Sequence, residues 1–376
     1  MPKGIKDLYQ DTVKDINEFG SWAGVDFLLR DVTKPLSRLG SFMFFAVILG
    51  IISNIYSMYY FRDNWLDIAF ALATFGIIFA LLPKIYAVYT INHFAHEIIR
   101  EINDIISRLV HCQEKCQEMK ICLKGFQFIY KVIKIVNLGT AILMFVYTFA
   151  VVFYKKERIL FVGYILPFLN SKEYPGFEIN LFCHMFEAYF CTVIYTTADT
   201  FYFGHYFIAC RHNFVMAHYV RDFNKLVNEN DEITDYKKVD KCLVDLLNEH
   251  QSHLKLMSNL TDFTIKQNLC QIIGSMCSII MNIFVLVKIL WISGLAILLA
   301  VIAILFLYGA MGSYYLICAE AFQNEIYNCK WYSLPPRTQK ALAYVLQMSQ
   351  KPIQPSVGGF VALDLRVFMK VSIQGH

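Results

Sequence analysis

Three charged residues interrupt an otherwise apolar run near the end of the sequence. Asp364, Arg366 and Lys370 fall within residues 360–373. Charges at membrane depth are costly and usually face water or protein. Arg366 and Lys370 are four residues apart, so a helix would place them on one face. One interpretation of this pattern is the wet wall of an ion path. The alternative is that both cations reach the membrane surface from a helix end.

Histidine and cysteine residues form three short groups whose spacing could suit a metal ion. The groups are His93 with His96, His250 with His253, and His111-Cys112 with Cys116. Two ligands on one helix face do not make a zinc site, which needs about four. Each group lies in a polar segment, where solvated or packed side chains are the ordinary interpretation. We expect no metal and no other cofactor.

Motifs for catalysis are absent from the sequence. It has no Gly-rich phosphate loop, no nucleophile elbow and no paired set of catalytic carboxylates. The net charge of +4 is modest, and no basic cluster marks a nucleic-acid surface. We therefore expect neither an enzyme nor a nucleic-acid-binding protein.

Composition indicates the class of protein that must position these residues. Of the 376 residues, 57% are hydrophobic and 17% are charged, whereas soluble domains average roughly 45–50% apolar and about 25% charged. Several runs of about 20 apolar residues are long enough to cross a bilayer as helices. The sequence therefore predicts an all-α polytopic membrane protein. The first 38 residues lack the apolar core of a signal peptide, so we expect the first span to direct insertion.

Six apolar spans can be read directly, and a seventh element is split. The six spans cover residues 39–60, 65–86, 125–154, 181–210, 268–290 and 292–316. Near the end, the amphipathic run 340–350 and the apolar run 360–373 are separated by the turn-forming pair Gly358-Gly359. We predict seven transmembrane helices, the last divided into a cytoplasmic part and a membrane part.

Lysine and arginine placement predicts the orientation. The first 38 residues carry six, the stretch between the second and third spans carries six counting from Lys84, and residues 211–265 carry seven. The opposite side has Arg62, Lys288 and four such residues in the loop 154–180. Because positive residues concentrate in cytoplasmic segments, the N-terminus is expected inside and, after seven spans, the C-terminus outside. A G-protein-coupled receptor has the opposite orientation.

The stretches between spans have a composition of their own. Residues 93–124 and 211–266 show helical periodicity. In the second stretch, apolar residues recur at spacings of three and four: Val239, Leu243, Leu246, Leu247, Leu254, Met257 and Leu260. Such faces predict helices that continue into the cytoplasm and need a partner. The loop 154–180 is long enough to fold over an external opening.

These patterns divide the chain into six regions. They are a cytoplasmic N-terminal segment (1–38), spans one to four with the ligand-binding bundle (39–210), a cytoplasmic helical anchor (211–266), spans five and six (267–318), a cytoplasmic anchor helix (319–352) and a pore-lining last helix (353–376).

The end of the chain resembles the C-terminal signature of the insect odorant receptors. The matching residues are Trp331, Leu334, Lys340, Leu342, Leu346, Gln350, Lys351-Pro352, Gly359, Phe360 and Phe368. The resemblance implies an odorant-tuning subunit that assembles with a shared co-receptor, as a tetramer, around one non-selective cation pore. It also implies a multi-pass protein in the plasma membrane of olfactory dendrites. The pore would include Lys370, Val371 and Gln374. Residues 360–376 would span only about 25 Å as a helix, so we expect the narrowest part of the pore beyond His376.

The resemblance also places an odorant site in the outer half of the bundle. The residues expected to line it are Phe70, Ala73, Thr74, Ile77, Ile142, Phe145, Val146, Phe149, Met185, Phe186, Tyr189, Phe190 and Val193. Aromatic, small and thioether side chains suit a flat volatile, such as a small phenolic or indole-like compound. The alternative for any one of them is ordinary helix packing.

Three other classes can be weighed against this interpretation. A gustatory-type channel of the same fold usually carries a Thr-Tyr pair and a run ending Gln-Phe in its last helix, which residues 360–373 lack. A G-protein-coupled receptor would need an Asp-Arg-Tyr-like motif at the third span, and this sequence shows none there. A transporter often shows inverted repeats, and none is detectable.

Overall fold

The computed structural model describes residues 4–24, 37–90, 92–109, 112–156, 158, 160, 162–227, 233–289 and 292–365. Helices account for most of them. In this part of the chain there are nine: α1 (Ile5–Ser21), α2 (Arg38–Tyr60), α3 (Trp65–Thr90), α4 (Asn92–Leu109), α5 (Gln113–Ala150), α6 (Gly176–Leu226), α7 (Tyr236–Lys288), α8 (Ile292–Asn328) and α9 (Pro336–Ser349). A π-helical turn (Val151–Lys155) continues α5, and a 3-10 turn (Trp331–Ser333) precedes α9. The predicted all-α class is confirmed.

Local chemistry explains several helix starts. The Ser37 hydroxyl accepts a hydrogen bond from the Gly40 N–H at 2.9 Å and caps α2. The Asp235 carboxylate accepts from the N–H groups of Lys237 and Lys238 and caps α7. Such caps satisfy N–H groups that have no partner within the helix. Helix α9 begins at Pro336, where the missing N–H costs nothing.

Apolar side chains on the outside of the bundle indicate a lipid environment. Among the described residues, five helices are long and apolar enough to cross a membrane: α2, α3, α5, α7 and α8. Large apolar residues such as Phe45 on α2, Ile135 on α5 and Leu299 on α8 are exposed on their surfaces. Water would penalise such surfaces, whereas lipid does not. The apolar spans predicted in these five helices therefore coincide with observed helices.

Helix α6 occupies the centre of the bundle. It packs against α1, α2, α3, α5, α7 and α8, and buries polar residues such as Asp199 and His205. Polar side chains inside a membrane bundle face its interior. This explains why the fourth predicted span, 181–210, forms a helix but lacks the apolarity of the five lipid-facing helices.

The first helix, α1, was not predicted. It lies in the segment 1–38, which was predicted only to be a cytoplasmic N-terminal segment. Ile5, Tyr9, Val13 and Ile16 are buried on one face, and the Tyr9 hydroxyl lies 3.0 Å from the His205 ring nitrogen of α6. The spacing of these residues, three and four, is an amphipathic signal that was present in the sequence.

One end of the bundle is a cluster of helices joined by ion pairs. It comprises α4, α9 and the adjoining parts of α5 to α8, which confirms the helices predicted for 93–124 and 211–266. Arg108 of α4 donates to Glu249 of α7 at 2.7 Å, and His212 of α6 lies 3.0 Å from the same carboxylate. We call this the anchor end. The other end, where the 156–175 segment lies, is the loop end.

The closing segment differs from the prediction. Residues Ser356–Val357 (β1) and Val361–Ala362 (β2) form an antiparallel hairpin, with Gly358 and Gly359 in left-handed conformations in its turn. Phe360 lies in that turn, so the helix predicted to begin there is wrong over residues 360–364. The backbone of the closing segment packs closely against the backbone of α8. A Cβ at Gly312 of α8 would lie only 1.6 Å from the Leu363 carbonyl oxygen.

Candidate functional site

A cavity of about 190 Å³ lies inside the bundle, between α3, α5, α6, α7 and α8. It is smaller than the roughly 300–1,000 Å³ of sites that bind drug-sized molecules. Helix α6 contributes the longest stripe, at spacings of one, three and four: His184, Glu187, Ala188, Cys191, Thr192, Tyr195 and Asp199. These spacings follow one helix face. The size suits a small molecule held without a covalent bond.

Small residues bring two of the walls together. Gly76 of α3 and Gly274 of α7 both line the cavity. A Cβ at Gly76 would lie 2.4 Å from the Gly274 carbonyl oxygen, and a Cβ at Gly274 would lie 2.3 Å from the Gly76 carbonyl oxygen. Because glycine has no side chain, the two backbones can touch here. This crossing fixes the width of the cavity between α3 and α7.

The loop between α5 and α6 forms the roof. Val162 and Tyr164 line the cavity. The Ile165 N–H donates to the Ser57 hydroxyl at 2.8 Å, and the Leu166 N–H donates to the Asn180 side-chain oxygen at 2.7 Å. Buried backbone groups need such partners. Val162 and Tyr164 of this loop therefore cover the loop end of the cavity, and a fold over an external opening stays a prediction.

Polar groups at the loop end of the cavity come from α6 and the roof. The Tyr164 hydroxyl donates to the Glu187 carboxylate, and the Tyr164 and His184 rings pack edge to face with centroids 4.5 Å apart. Gly50 of α2 closes the remaining side, since a Cβ there would lie 3.0 and 3.1 Å from the two Glu187 oxygens. A carboxylate and two polar rings therefore face one end of the cavity.

The opposite end of the cavity contains a buried ion pair. Lys84 of α3 donates to Asp199 of α6, and both side chains are almost fully buried. The Tyr308 hydroxyl of α8 donates to the same Asp199 oxygen at 3.0 Å, and the Lys84 ammonium lies 4.2 Å from the Tyr195 ring centroid. Such pairing is what makes charge tolerable at membrane depth. Three helices are joined here.

Lys84 was counted among the loop residues in the topology argument, and this was wrong. It lies within α3, two turns before the helix ends at Thr90, and is fully buried. Five lysine and arginine residues remain between α3 and the apolar part of α5: Arg100, Arg108, Lys115, Lys120 and Lys124. The segment between α3 and the apolar part of α5 therefore still carries more lysine and arginine residues than any single segment on the opposite side.

Two of the residues predicted for the odorant site line the cavity: Thr74 and Ile77. Four more belong to an apolar cluster that adjoins the cavity and shares Met144, Ile297 and Val301 with its wall. These four are Phe70, Ala73, Phe145 and Met185. They lie beside the cavity and support its wall, but do not face its interior.

The remaining predicted residues lie on other helix faces. On α5, Ile142, Val146 and Phe149 are exposed on the outside of the bundle, because the cavity face of this helix consists of Asn137, Thr140, Ala141 and Met144. On α6, the predicted residues flank the cavity stripe: Tyr189 is exposed, Phe186 packs against Phe42, and Phe190 and Val193 are buried in the core. These residues therefore lie on other faces of helices that line the cavity, and their role as odorant contacts stays a prediction.

The predicted pore residues Lys370, Val371 and Gln374 lie outside the described residues, as do Arg366 and Phe368. Within the described ranges no group of three or more histidine, cysteine, aspartate or glutamate side chains could hold a metal ion. Sequence reasoning missed Glu187, Asp199 and Lys84 as site residues. The available signal was a charge inside an apolar stretch.

Comparisons with known proteins agree with the fold. No curated protein sequence matches the chain. The olfactory receptor OR5 from the insect Machilis hrabei, solved in complex with eugenol, superposes with a TM-score of 0.80 at 10% identity over 98% of this chain and 96% of that chain. A second structure of the same receptor gives a TM-score of 0.78 at 13% identity, covering 97% and 95%.

A family model supplies the sequence-level evidence. The model described as 7tm Odorant receptor matches residues 64–372, a range that includes every helix lining the cavity. The apolar helices of the chain, together with this match, identify it as a multi-pass membrane protein. With the helical bundle, the cavity between its helices and this match established, the chain belongs to the 7tm odorant receptor family.

Proposed function

We propose that this chain is the odorant-binding subunit of an odorant-gated, non-selective cation channel, and that it opens a shared pore together with a co-receptor subunit. One observation carries the proposal: a chain of this family contains a small cavity whose wall includes both apolar and polar side chains. A ligand that binds the open arrangement more tightly than the closed one shifts the population towards opening. The proposed location is the plasma membrane of an olfactory dendrite.

The proposal includes the predicted topology. It has seven spans, a cytoplasmic N-terminus, an extracellular C-terminus and a last element divided into cytoplasmic α9 and a membrane part that follows the hairpin at 356–362. The positive residues of the anchor end support this orientation. The loop end would then face outside, where an odorant arrives. The helices of the anchor end that lie within 211–266 and 319–352, namely the adjoining parts of α6, α7 and α8 together with α9, would contact the co-receptor.

The proposed ligand is a small volatile with an aromatic body. The rings of Tyr164, His184 and Tyr195 line the cavity, and aromatic groups pack favourably against one another. One related receptor structure is a complex with eugenol, which is a small phenol. Apolar wall residues such as Met144 and Val301 would hold the rest of the molecule.

Current recording tests the channel assignment directly. The chain, an insect co-receptor and the pair are expressed separately in cells and exposed to a panel of aromatic volatiles. We expect odorant-evoked cation current in the pair that exceeds or differs in selectivity from the current in cells with either chain alone. If surface labelling shows both chains at the membrane and no volatile evokes current beyond that of the co-receptor, the proposal is refuted.

Filling the cavity is expected to exclude larger odorants. Ala300 of α8 lines the cavity, and Ala300→Leu adds three carbons to its wall. Overpacking costs about 1–3 kcal/mol, so the half-maximal concentration for the largest active odorants should rise roughly tenfold or more. Ala303→Leu, an exposed alanine less than one turn later on α8, is the matched control and should leave responses unchanged. Equal effects of the two variants would contradict this cavity as the ligand site.

A further inference from the structure

The two carboxylates of the cavity have different surroundings. Asp199 at the anchor end is paired with Lys84 and accepts a hydrogen bond from Tyr308. Glu187 at the loop end is nearly as buried, yet within the described residues it forms no ion pair, and its one hydrogen-bond partner is the Tyr164 hydroxyl. A buried carboxyl group is costly to ionise unless a cation lies beside it, and a bound cation offsets that cost. The cavity therefore holds one satisfied acid and one acid that lacks a counterion.

We propose that Glu187 binds the ammonium group of a small organic amine, so that the ligand supplies the cation that the chain does not. This inference rests on the proposed function, because it assumes that the cavity is the odorant site, and it defines the chemical class of the ligand. Charge-assisted hydrogen bonds are roughly twice as strong as neutral ones. This one contact would therefore dominate the selectivity for the head group.

The geometry of the site leaves one direction open to the ligand. Tyr164 donates to one oxygen of the Glu187 carboxylate. Gly50 lies against the side facing α2, with no side chain between the two helices. The remaining side of Glu187 faces the cavity, of which it is a lining residue. An ammonium there could contact the second carboxylate oxygen directly.

The rest of the cavity fits an apolar body attached to that head group. Ala141 and Met144 of α5 and Ile297 and Val301 of α8 provide apolar wall. The volume of about 190 Å³ restricts the body to the size of a single ring with a short chain. At the far end, Asp199 is already neutralised by Lys84, so a second cationic group would gain little there. The site therefore favours a monoamine.

A matched pair of ligands isolates the charge. 2-Phenylethylamine and 2-phenylethanol have the same body and differ in the head group. In cells that express this chain with a co-receptor, Glu187→Gln should raise the half-maximal concentration of the amine by at least about tenfold and that of the alcohol by less than about threefold. Glutamine keeps the size and an oxygen acceptor for Tyr164. The control is Glu178→Gln, an exposed glutamate nine residues earlier on α6, which should shift neither ligand.

A second variant separates ligand binding from loop attachment. If Glu187 served only to hold the roof through Tyr164, Tyr164→Phe and Glu187→Gln would shift amine and alcohol equally, and the inference would be overturned. If the carboxylate binds the ammonium, Tyr164→Phe retains the preference for the amine. A wild-type receptor that responds to other volatiles but not to the amine would also overturn the inference while leaving the proposed function intact.

A binding measurement keeps the inference testable even if no channel opens. A ligand that binds the folded state raises its unfolding temperature. The purified wild-type chain in detergent should therefore unfold at a higher temperature with 2-phenylethylamine than without it, and Glu187→Gln should lose that increase. A wild-type chain with no amine-dependent increase contradicts the inference. Absence of current together with a Glu187-dependent increase contradicts the channel proposal alone.

Discussion

Lys84→Met is expected to remove most of the folded receptor from the cell surface. The substitution leaves the Asp199 carboxylate buried with the Tyr308 hydroxyl as its remaining described donor. Breaking a buried ion pair by removing one partner costs about 3–5 kcal/mol, which is a large part of the roughly 5–15 kcal/mol that keeps a typical domain folded. The measurement is surface labelling, with the unfolding temperature of the detergent-purified chain as a second readout.

The double variant distinguishes an unpaired charge from a general packing defect. Lys84→Met combined with Asp199→Asn removes both charges and keeps an oxygen that can accept from Tyr308. Because replacing both members of a buried pair is often neutral, we expect the double variant to recover most surface expression. Lys120→Met, at an exposed lysine of α5, is the control and should resemble wild type. A double variant as defective as Lys84→Met would show that the charge pairing is not the cause.

Gly274→Ala is expected to abolish ligand responses. It should lower the free energy of unfolding by less than Lys84→Met does. The new Cβ would lie 2.3 Å from the Gly76 carbonyl oxygen. This obstacle is backbone, so it cannot rotate away as a side chain would, and α3 and α7 must separate. Overpacking of this kind costs about 1–3 kcal/mol. Since both glycines line the cavity, separation also changes its shape. Dose–response curves and unfolding temperatures measure the two effects.

The same substitution elsewhere provides the control. A Cβ at Gly139 of α5 would meet nothing within 4 Å. Gly139→Ala should therefore leave responses unchanged and stabilise its helix slightly, since alanine is favoured over glycine in helices by about 1 kcal/mol. If Gly274→Ala behaved like Gly139→Ala, the α3–α7 contact would not control the cavity.

Much of the fold could be predicted because the relevant signals are local. Runs of apolar residues gave the spans in α2, α3, α5, α7 and α8, and spacings of three and four gave the helices beyond them. The same pattern in α1 was present and was not used. The hairpin at 356–362 was not predicted as such, because its flanking residues are apolar enough to suggest a helix.

The rotational phase of the cavity helices could not be predicted in the same way. In water, the apolar face of a helix marks the core. In lipid, apolar residues also cover the outside, so the apolar run around Ile142 on α5 does not indicate which side faces inwards. The better signal is small and polar residues, such as Asn137, Thr140 and Ala141, which do line the cavity. One sequence also cannot show that Lys84 pairs with Asp199, which is 115 positions away.

The contact between Gly312 and Leu363 bears on how far a binding event has to travel. Ile304 of α8 touches the cavity, and Gly312 lies eight residues further along the same uninterrupted helix, about 12 Å away. Because α8 is continuous between these two residues, a tilt of the helix at one of them also displaces the other. Any tilt of α8 when a ligand binds would therefore move the surface against which the closing segment packs. The stiffness of about two helical turns, and not a hinge, would then determine how strongly ligand binding moves that segment.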